Sequence, residues 1–521
     1  MIRTINKPFL LMLLLVAIIV GSSCKKSYLD VNKDPNRVTD DNVTAELIFP
    51  AAEVKVGRNV ADNAGNNVGS RAGSFFSQWI GYTAPNGQFV PQQNLISYNI
   101  DYSYGDNTFK GYYDILFDLH QAEVKALDIS DGDTALAGAS IVLSAKLFQE
   151  LVDIFGDVPY TQAFNVSSFK TPKYDKSQDI YKALQGRLDT AIIYLKLPQK
   201  AAFAKVDIIN HGDADKWIAF ANTLKLRLLI RQSEVPGFDP SSEIAKIINK
   251  GGVLGAGKSI SVNPGYVNDV SKQNPYYDAN GWTTTGTQAN LSTNANNYIL
   301  NILSTTNDPR LSRFFFPAGF SSANGYVGNT FGAPSASLAS ASNSSYFGPV
   351  IGGELDGSNV GTGYSKDQYI YPSFESLFLY AEAVARGWIA GDRNAALAAA
   401  ITESFIWTGV PNAVTAASAY IAANPKLTTL DSANTPLARA KIVVYQKYIA
   451  NTEIDPLESF LDQNRLHFLT DKSYISVFSG KVSNIIPLRL LYPQSEYTTN
   501  SANTPKQVVG DAFTSKLFWE Q

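Results

Sequence analysis

The sequence predicts a mainly α-helical protein in which a scaffold of amphipathic helices carries long loops and short β elements. Apolar residues recur at helical spacing in separated blocks that are too long for strands. Between these blocks, residues 251–370 and 470–521 are rich in Gly, Asn, Ser, Tyr and Pro and show little sustained periodicity. That composition favours loops with short strands. No repeat of fixed period is visible in the sequence.

Two amphipathic helices are predicted in the first third of the chain, at 107–127 and 134–155, joined by DISDGD. Their apolar stripes contain Phe109, Tyr112, Tyr113, Leu116, His120 and Leu127 in the first helix and Ile141, Phe148, Val152 and Phe155 in the second. Each helix therefore has one face suited to burial.

Three further helices are predicted at 213–232, 373–391 and 435–450. The first has an apolar face of Trp217, Phe220, Ala221, Leu224 and Leu228, with Lys216, Lys225 and Arg227 elsewhere. The stripe of the second contains Phe374, Leu377, Phe378, Ala381, Ala385 and Trp388, with Gly387 or Gly391 near its end. Thr435 is expected as the N-cap of the third helix, and Pro436 as its first residue.

The N-terminus carries Arg3 and Lys7, then an uncharged apolar run, then Val-Gly-Ser-Ser-Cys. The run is shorter than the about 20 apolar residues that a membrane-spanning helix needs, so residues 1–23 are predicted to be a removed signal peptide. The sequence VGSSC resembles the lipobox of bacterial lipoproteins, which implies a lipid anchor on Cys24. A thiol is the nucleophile that this modification needs.

The composition argues against several kinds of partner and site. The net charge is −3, whereas nucleic-acid binding needs a basic surplus gathered on one face. Cys24 is the only cysteine, so neither a disulfide nor a cysteine-based zinc site is expected in the mature chain. Charged residues make up 17% and aromatic residues 12%, a balance that suits carbohydrate or peptide ligands.

Six segments, in order along the chain, resemble the SusD/RagB family of lipoproteins. They are CKKSYLDVNKDPNRVT after the lipobox, LVDIFGDVPYTQAF (151–164), KWIAFANTLKLRLLIR (216–231), NDPRLSRFFFP (307–317), YAEAVARGWI (380–389) and IPLRLLYPQSEYTTN (486–500). The resemblance is nearest to the SusD-like branch whose mature N-terminus has Leu-Asp followed by an Asn-Pro-Asn turn. One departure is that Lys25 and Lys26 follow the cysteine, where surface-exported lipoproteins often carry acidic residues.

The resemblance implies a fold of tetratricopeptide-like helix pairs and a nutrient-binding lipoprotein tethered at the outer membrane, facing the cell exterior. It implies a signal peptide at 1–23 and one nutrient-binding domain at 24–521, with a loop-rich insert at about 251–370. The implied partner is a SusC-like TonB-dependent transporter, to which the protein delivers a glycan or an oligopeptide. No cofactor is implied, and the alternative function is a lipid-anchored hydrolase of carbohydrate or peptide.

The segment GVLGAGKS, residues 252–259, satisfies the Walker A pattern but lacks its context. A phosphate-binding loop needs a buried strand before it and a helix after it, whose N-terminus meets the phosphates. Here a short amphipathic helix is predicted before the loop, and Pro264 and Gly265 oppose a helix after it. We therefore expect no nucleotide site.

Hydrolase signatures are also missing from the sequence. The three histidines are His120, predicted to lie in the core, and His211 and His467, which have no partner at metal-ligand spacing. The acidic residues Glu150, Asp153 and Asp157 could suggest a glycosidase pair, but we interpret them as surface charge and a turn-stabilising Asp157. Glu382 and Arg386 are interpreted as an exposed helix-face pair of small worth. No catalytic residue and no metal site are predicted.

Candidate ligand-binding residues come from two aromatic stretches that lack helical spacing. Sugars are held by aromatic rings under their apolar faces and by amide groups at their hydroxyls. The first stretch offers Trp79, Tyr82 and Tyr98, together with Phe89, Tyr102 and Tyr104, and the second offers Tyr276, Tyr277 and Trp282. These rings are expected to be exposed on loops. If they do not bind ligand, the loops between residues 320 and 370 are the next expectation.

Overall fold

The computed structural model describes residues 43–61, 75–128 and 132–520 of the chain. The predicted signal peptide at 1–23 and the predicted lipid attachment at Cys24 lie outside the described residues. The described residues from Ala45 onward belong to one compact unit, and the features below are part of it.

Helices dominate the described residues, and the fold is mainly α as predicted. The helices are α1 (Ala45–Ala61), α2 (Phe75–Trp79), α3 (Gln93–Ser97), α4 (Asp106–Ala126), α5 (Thr134–Phe155), α6 (Ser177–Leu195), α7 (Phe203–Val206), α8 (Ala214–Arg231), α9 (Ser241–Asn249), α10 (Pro275–Asn280), α11 (Asn297–Thr305), α12 (Leu311–Phe314), α13 (Pro349–Gly352), α14 (Ser373–Arg386), α15 (Arg393–Trp407), α16 (Ala413–Ala423), α17 (Pro425–Thr428), α18 (Pro436–Ala450), α19 (Pro456–Leu466), α20 (Gln494–Thr499) and α21 (Asp511–Thr514). The strands are β1 (Thr83–Pro85), β2 (Ile260–Val262), β3 (Thr293–Ala295) and β4 (Gln368–Tyr371).

The predicted helices form within a few residues of their predicted positions, and several of their ends are capped, at Thr435 and Gly387 as predicted and at Asp133 in addition. At the start of α5, Asp133 Oδ1 accepts a hydrogen bond from the amide of Leu136 at 3.0 Å. At the start of α18, the Thr435 hydroxyl accepts one from the amide of Ala438 at 3.1 Å. After α14, Gly387 has a φ of 81°, the left-handed conformation that commonly ends a helix.

Neighbouring helices pack side by side in pairs. Helix α4 packs against α5, α5 against α6, and α14 against both α15 and α18, while α1 covers α4. This arrangement confirms the tetratricopeptide-like scaffold that the family resemblance implies. Helix α5 is long and apolar enough to cross a membrane, but 94% of its most apolar window is buried, which is typical of a core helix.

The described residues form two short strand pairs, and all their strands except β1 begin within residues 251–370. Strand β1 pairs antiparallel with β3, and β2 pairs antiparallel with β4, with a register shift between Ile260 and Ser261. Residues 251–370 contain loops and short strands, and also the helices α10 to α13, of which α11 is the longest. The sequence analysis missed this helix, whose N-cap Asn296 accepts a hydrogen bond from the amide of Tyr298.

The C-terminal segment has little regular structure but is fastened to the helical scaffold. The amide of Leu490 donates to the carbonyl of Ile154 at 3.0 Å. Near the end of the chain, Trp519 Nε1 donates to Asp153 Oδ1 at 2.9 Å, and the Trp519 ring is fully buried. Backbone and side-chain hydrogen bonds to α5 thus hold the C-terminal segment in place without strand pairing at these positions.

A network of buried ion pairs joins helices that are far apart in sequence. At its centre is Glu458 of α19, which accepts two hydrogen bonds from Arg231 Nη2 of α8, both at 2.8 Å. Arg227 of α8 and Lys447 of α18 lie 3.4 Å from the same carboxylate. These cations hold the pKa of Glu458 well below its usual range despite burial. All four side chains are at most 2% exposed, so each charge depends on its partners rather than on water.

A second part of the network links α14 to α19. The Arg465 guanidinium donates to both oxygens of Glu382, at 2.6 and 2.9 Å. Asp462 lies 2.8 Å from Arg465 Nη2 and 3.0 Å from Lys447 Nζ, which connects the two parts. Arg386 also pairs with Glu382, at 2.8 Å.

The interpretation of Glu150 and Asp153 as surface charge is wrong. Glu150 is 0% exposed and Asp153 is 1% exposed. Their charges can be buried because Glu150 pairs with Lys146 at 2.5 Å and Asp153 pairs with Arg231 at 3.3 Å. Asp157 has a local structural role close to the predicted one, since its Oδ1 accepts the amide of Ser177 at the start of α6.

The pair Glu382–Arg386 is likewise not an exposed helix-face pair. Glu382 is 1% exposed and Arg386 is 5% exposed, and Arg386 also reaches Glu234 at 2.7 Å. Glu382 and Arg386 therefore belong to the buried ion-pair network, although the sequence suggested an exposed pair.

We predict that Glu458→Gln lowers the free energy of unfolding by about 3–5 kcal/mol, because it leaves Arg231 and Lys447 buried without their carboxylate. Chemical denaturation measures the change. Asp269→Asn, which breaks an exposed pair with Lys272, is the matched control and should leave the midpoint unchanged. Equal stability of Glu458→Gln and the wild type would show that the network does not hold the core.

We predict a pH-dependent effect of Glu375→Gln. Burial, with Asp455 and Glu458 nearby, raises the pKa of Glu375 from 4.5 to about 8. The unfolded chain releases this proton near pH 4.5 and the folded chain only near pH 8, so over that interval the free energy of unfolding falls by about 1.4 kcal/mol per pH unit. Gln does not ionise, so the variant should melt at a higher temperature than the wild type at pH 8 and at a similar one at pH 5. Thermal unfolding across this range checks it, and a difference independent of pH would contradict it.

Candidate ligand-binding site

A cleft of about 310 Å³ lies where the β2–β4 pair meets the end of α15. Its lining residues are Ser259, Ser261, Asn274, Tyr276, Arg313, Val350, Ile351, Lys366, Asp367, Gln368, Tyr369, Trp407, Thr408 and Gly409. They come from six separate stretches of the chain, so only the folded protein assembles the cleft.

Aromatic rings form one side of the cleft. Trp407, the last residue of α15, is half-buried, and its Nε1 donates to Ser259 Oγ at 3.1 Å. The Trp407 ring meets that of Tyr369 edge-on at 5.5 Å, and Tyr369 in turn meets Tyr276 at 5.7 Å. The hydroxyl of Tyr369 donates to the carbonyl of Ile454 at 3.0 Å. These contacts fix the aromatic side while leaving part of the indole exposed.

Small polar side chains and one carboxylate line the edge formed by the strands. Ser261 Oγ lies 3.4 Å from Asp367 Oδ2, and Asn263 Nδ2 donates to Asp367 Oδ1 at 2.9 Å. Asn274 Nδ2 donates to the carbonyl of Lys366 at 3.0 Å. The edge therefore presents hydroxyl, amide and carboxylate groups beside the rings.

Two cationic side chains complete the lining. Lys366 Nζ donates to the carbonyls of Pro349 and Val350, at 2.8 and 3.0 Å. Arg313 Nε donates to the carbonyl of Thr408 at 3.0 Å. An aromatic face next to hydroxyls, amides and fixed charges is a combination that can hold a sugar ring and its substituents.

The expectation that the predicted aromatic residues are exposed is wrong for all six principal candidates. Trp79, Tyr82 and Tyr98 are each 0% exposed. Trp79 lies in α2 and packs against Phe460 at 6.0 Å. Tyr82 stacks on Tyr448 at 4.7 Å. The Tyr98 hydroxyl accepts a hydrogen bond from the amide of Ser476 at 2.8 Å. These rings hold their loops against the scaffold.

The second group of predicted rings, Tyr276, Tyr277 and Trp282, is also packed against the protein interior. Tyr276 and Tyr277 lie in α10, and their exposed fractions are 2% and 1%, while Trp282 is 1% exposed. The Trp282 ring is pressed against glycines: a Cβ on Gly361 would lie 2.4 Å from the indole, and one on Gly352 would lie 2.5 Å from it. Buried in this way, these side chains offer no open ring face. Tyr276 nevertheless supports the floor of the cleft.

The remaining rings of the first stretch differ among themselves. Phe89 is 50% exposed, whereas Tyr102 and Tyr104 are half-buried, and the Tyr102 hydroxyl donates to the carbonyl of Gln507 at 2.7 Å. Sequence reasoning missed Trp407, Lys366 and Arg313. The available signal for Trp407 was its place before a Thr-Gly turn, where a helix ends and a side chain can face solvent.

The Walker A segment is held by protein groups rather than poised for phosphate. It is followed by β2, not by a helix, and the amide of Gly257 donates to Glu403 Oε1 at 2.8 Å. Gly257 has a φ of 69°. Among the described residues, no group of three or more His, Cys, Asp or Glu side chains could hold a metal ion.

Two further cavities have different linings. One of about 280 Å³ between α4, α5 and α6 contains His120, which is half-buried rather than in the core and stacks on Phe164 at 5.2 Å. Burial lowers the pKa of His120. One of about 470 Å³ beside the C-terminal segment is lined by acidic, basic and neutral side chains, and its Lys176 is already paired with Asp157 at 2.8 Å. The first cleft is therefore the candidate ligand site.

Several solved structures share this fold. A chitin-binding SusD homolog from Flavobacterium johnsoniae is 21% identical with a TM-score of 0.71, covering 90% of this chain and 98% of its own. A SusD/RagB family protein from Bacteroides thetaiotaomicron is 21% identical with a TM-score of 0.70, covering 92% and 99%. A SusD homolog from Bacteroides fragilis is 19% identical with a TM-score of 0.68, covering 88% and 94%.

A comparison with curated proteins finds no match. The SusD-like family, described as starch-binding and associating with the outer membrane, matches residues 40–493. That match covers most of the chain and agrees with the helix-pair scaffold. The chain belongs to the SusD-like family.

Proposed function

We propose that this protein captures an oligosaccharide at the outer membrane and delivers it to a SusC-like TonB-dependent transporter. Family membership supports nutrient binding at the outer membrane, since the family is described as starch-binding and associating with that membrane. The chitin-binding relative supports a glycan as the class of ligand. An oligopeptide is the other ligand class that the family resemblance allows.

The observation that carries the proposal is the partly exposed indole of Trp407 beside Ser261 and Asp367. A sugar ring has apolar C–H faces and a polar rim, so it needs one aromatic surface and adjacent hydrogen-bonding groups. The cleft supplies both within about 310 Å³, a volume suited to one or two sugar rings rather than to a long chain.

Binding without hydrolysis is part of the proposal. A glycosidase needs two carboxyl groups about 5 to 10 Å apart across the scissile bond. Among the described residues that line the cleft, Asp367 is the only acidic one, and it is engaged by Asn263. This favours a binding protein over the alternative lipid-anchored hydrolase.

The attachment to the membrane is proposed from the sequence. Cleavage after residue 23 and lipidation of Cys24 would tether the domain 24–521, facing the cell exterior. A capture protein of this kind needs a pore for import, which motivates the transporter partner.

We predict that Trp407→Ala weakens glycan binding by about 1–3 kcal/mol, by analogy with the loss of one stacking ring under a base. The measurement is isothermal calorimetry with the best ligand from a screen of neutral and acidic glycans, with circular dichroism as the folding check.

Trp388→Ala is the matched control for Trp407→Ala, because Trp388 is another half-buried indole that does not line the cleft. Unchanged glycan affinity in folded Trp407→Ala would place the ligand elsewhere. The half-exposed Phe89 would then be the next residue to test.

We predict that Cys24→Ala moves the protein from the membrane fraction to the soluble fraction, since stable anchoring takes more than one acyl chain and this cysteine would carry them. In the wild type, mild detergent extraction should co-purify a large outer-membrane barrel. Membrane sedimentation of Cys24→Ala in cells that lack the barrel would contradict the anchor, and repeated absence of a barrel would contradict the transporter partner.

A further inference from the structure

The ammonium group of Lys366 has carbonyl partners in the cleft but no carboxylate partner. Nζ donates to the carbonyls of Pro349 and Val350 at 2.8 and 3.0 Å. In the part of the chain that the structure describes, no acidic side chain lies within ion-pair distance of it. An ammonium has three donors, so one remains for a ligand.

Arg313 brings a second positive charge to the same cleft. Its Nε donates to the carbonyl of Thr408, and its Nη2 pairs with Glu354 Oε1 at 2.8 Å. The Arg313 side chain is 17% exposed, whereas that of Glu354 is 70% exposed. A guanidinium has five N–H donors, so it can bind a further acceptor while keeping both contacts.

The two cations influence each other. Burial in the cleft, together with the nearby Arg313, lowers the pKa of Lys366 to about 8, and Glu354 opposes the shift. Lys366 keeps exposed surface, so a ligand can approach it from solvent. An anion placed between the two cations would relieve their repulsion.

The acidic side chains near the cleft do not provide an anion between Lys366 and Arg313. Asp367 is directed to β2, where its oxygens accept from Asn263 and lie near Ser261. Glu354 is not among the lining residues, and an exposed ion pair of this kind is weak. A ligand anion would compete with Glu354 for Arg313 at little cost.

We propose that the cleft selects glycans that carry an anionic substituent, a carboxylate or a sulfate ester, held between Lys366 and Arg313 while the sugar ring packs on Trp407. This rests on the proposed function and names its substrate class. Charge-assisted hydrogen bonds from lysine and arginine to carboxylate or sulfate oxygens are stronger than those to hydroxyls. The fixed carbonyl contacts of both side chains orient the cations before the ligand arrives.

The experiment compares matched acidic and neutral glycans. Oligosaccharides of polygalacturonate, alginate and a sulfated galactan are titrated beside the carboxyl-reduced or desulfated form of each. At least one acidic form should bind about tenfold or more tightly than its neutral counterpart, and added salt should weaken it. Whether a carboxylated or a sulfated member binds identifies the anion.

Two substitutions should act in opposite directions on the acidic ligand. Lys366→Gln keeps a donor for the carbonyls but removes the charge, and it should lower affinity for the acidic form about tenfold. Glu354→Gln removes the competing carboxylate at an exposed position and should raise that affinity about two- to fivefold. Glu354→Gln, whose side chain is not among the lining residues, should leave binding of a neutral form unchanged, and the loss in Lys366→Gln should be larger for the acidic form than for the neutral one. Lys506→Gln, at the rim of the C-terminal cavity, is the charge-matched control.

Failure of this inference can be told apart from failure of the proposed function. Equal binding of acidic and neutral forms, or binding of neutral forms alone with loss in Trp407→Ala, would overturn the charge selection and leave glycan capture intact. Unchanged acidic binding in both Lys366→Gln and Glu354→Gln would also overturn it. Absence of binding to every glycan would overturn both.

Discussion

The compensation of buried charge around Glu458 is the constraint on which the rest of the structure depends. Arg227 and Arg231 of α8 can be buried only if carboxylates from α5 and α19 reach them, although α19 lies more than two hundred residues further along the chain. Strand β4 extends from this network to the cleft: Tyr371 lies 5.7 Å from the Arg227 guanidinium, and Tyr369 two residues earlier touches Trp407. The candidate cleft is thus held by the same strand that packs on the network.

Much of the scaffold could be predicted because local chemistry determines it. Asp133, Thr435 and Gly387 have the capping roles that their residue types predict, and the buried face of α4 follows the helical period. Helices α5 and α8 are instead buried on most sides, including Lys225 and Arg227, which were predicted to lie away from the apolar face. The family resemblance added the pairing of helices, which the fold confirms. Helix α11 was missed because its nine residues lie in a segment dominated by turn-forming side chains.

The candidate site could not be predicted in the same way. Sequence gives no measure of burial for aromatics in loops, and here Trp282 and Tyr98 pack inward because loops without strands need apolar anchors. Charged residues were misjudged for the related reason that the burial of Glu150 and Glu382 depends on tertiary partners, Arg227 and Arg465, as well as on a partner in the same helix. Lys366 and Arg313 are ordinary cations in sequence, and only the fold brings them to Trp407 in one cleft.

The most direct test of the account is a crystal structure of the protein with the glycan that binds most tightly in the acidic and neutral panels. The account predicts a sugar ring against the Trp407 indole, in the cleft between the β2–β4 pair and the end of α15. A glycan seated instead on Phe89, or in the cavity lined by His120, with the cleft around Trp407 unchanged, would contradict it.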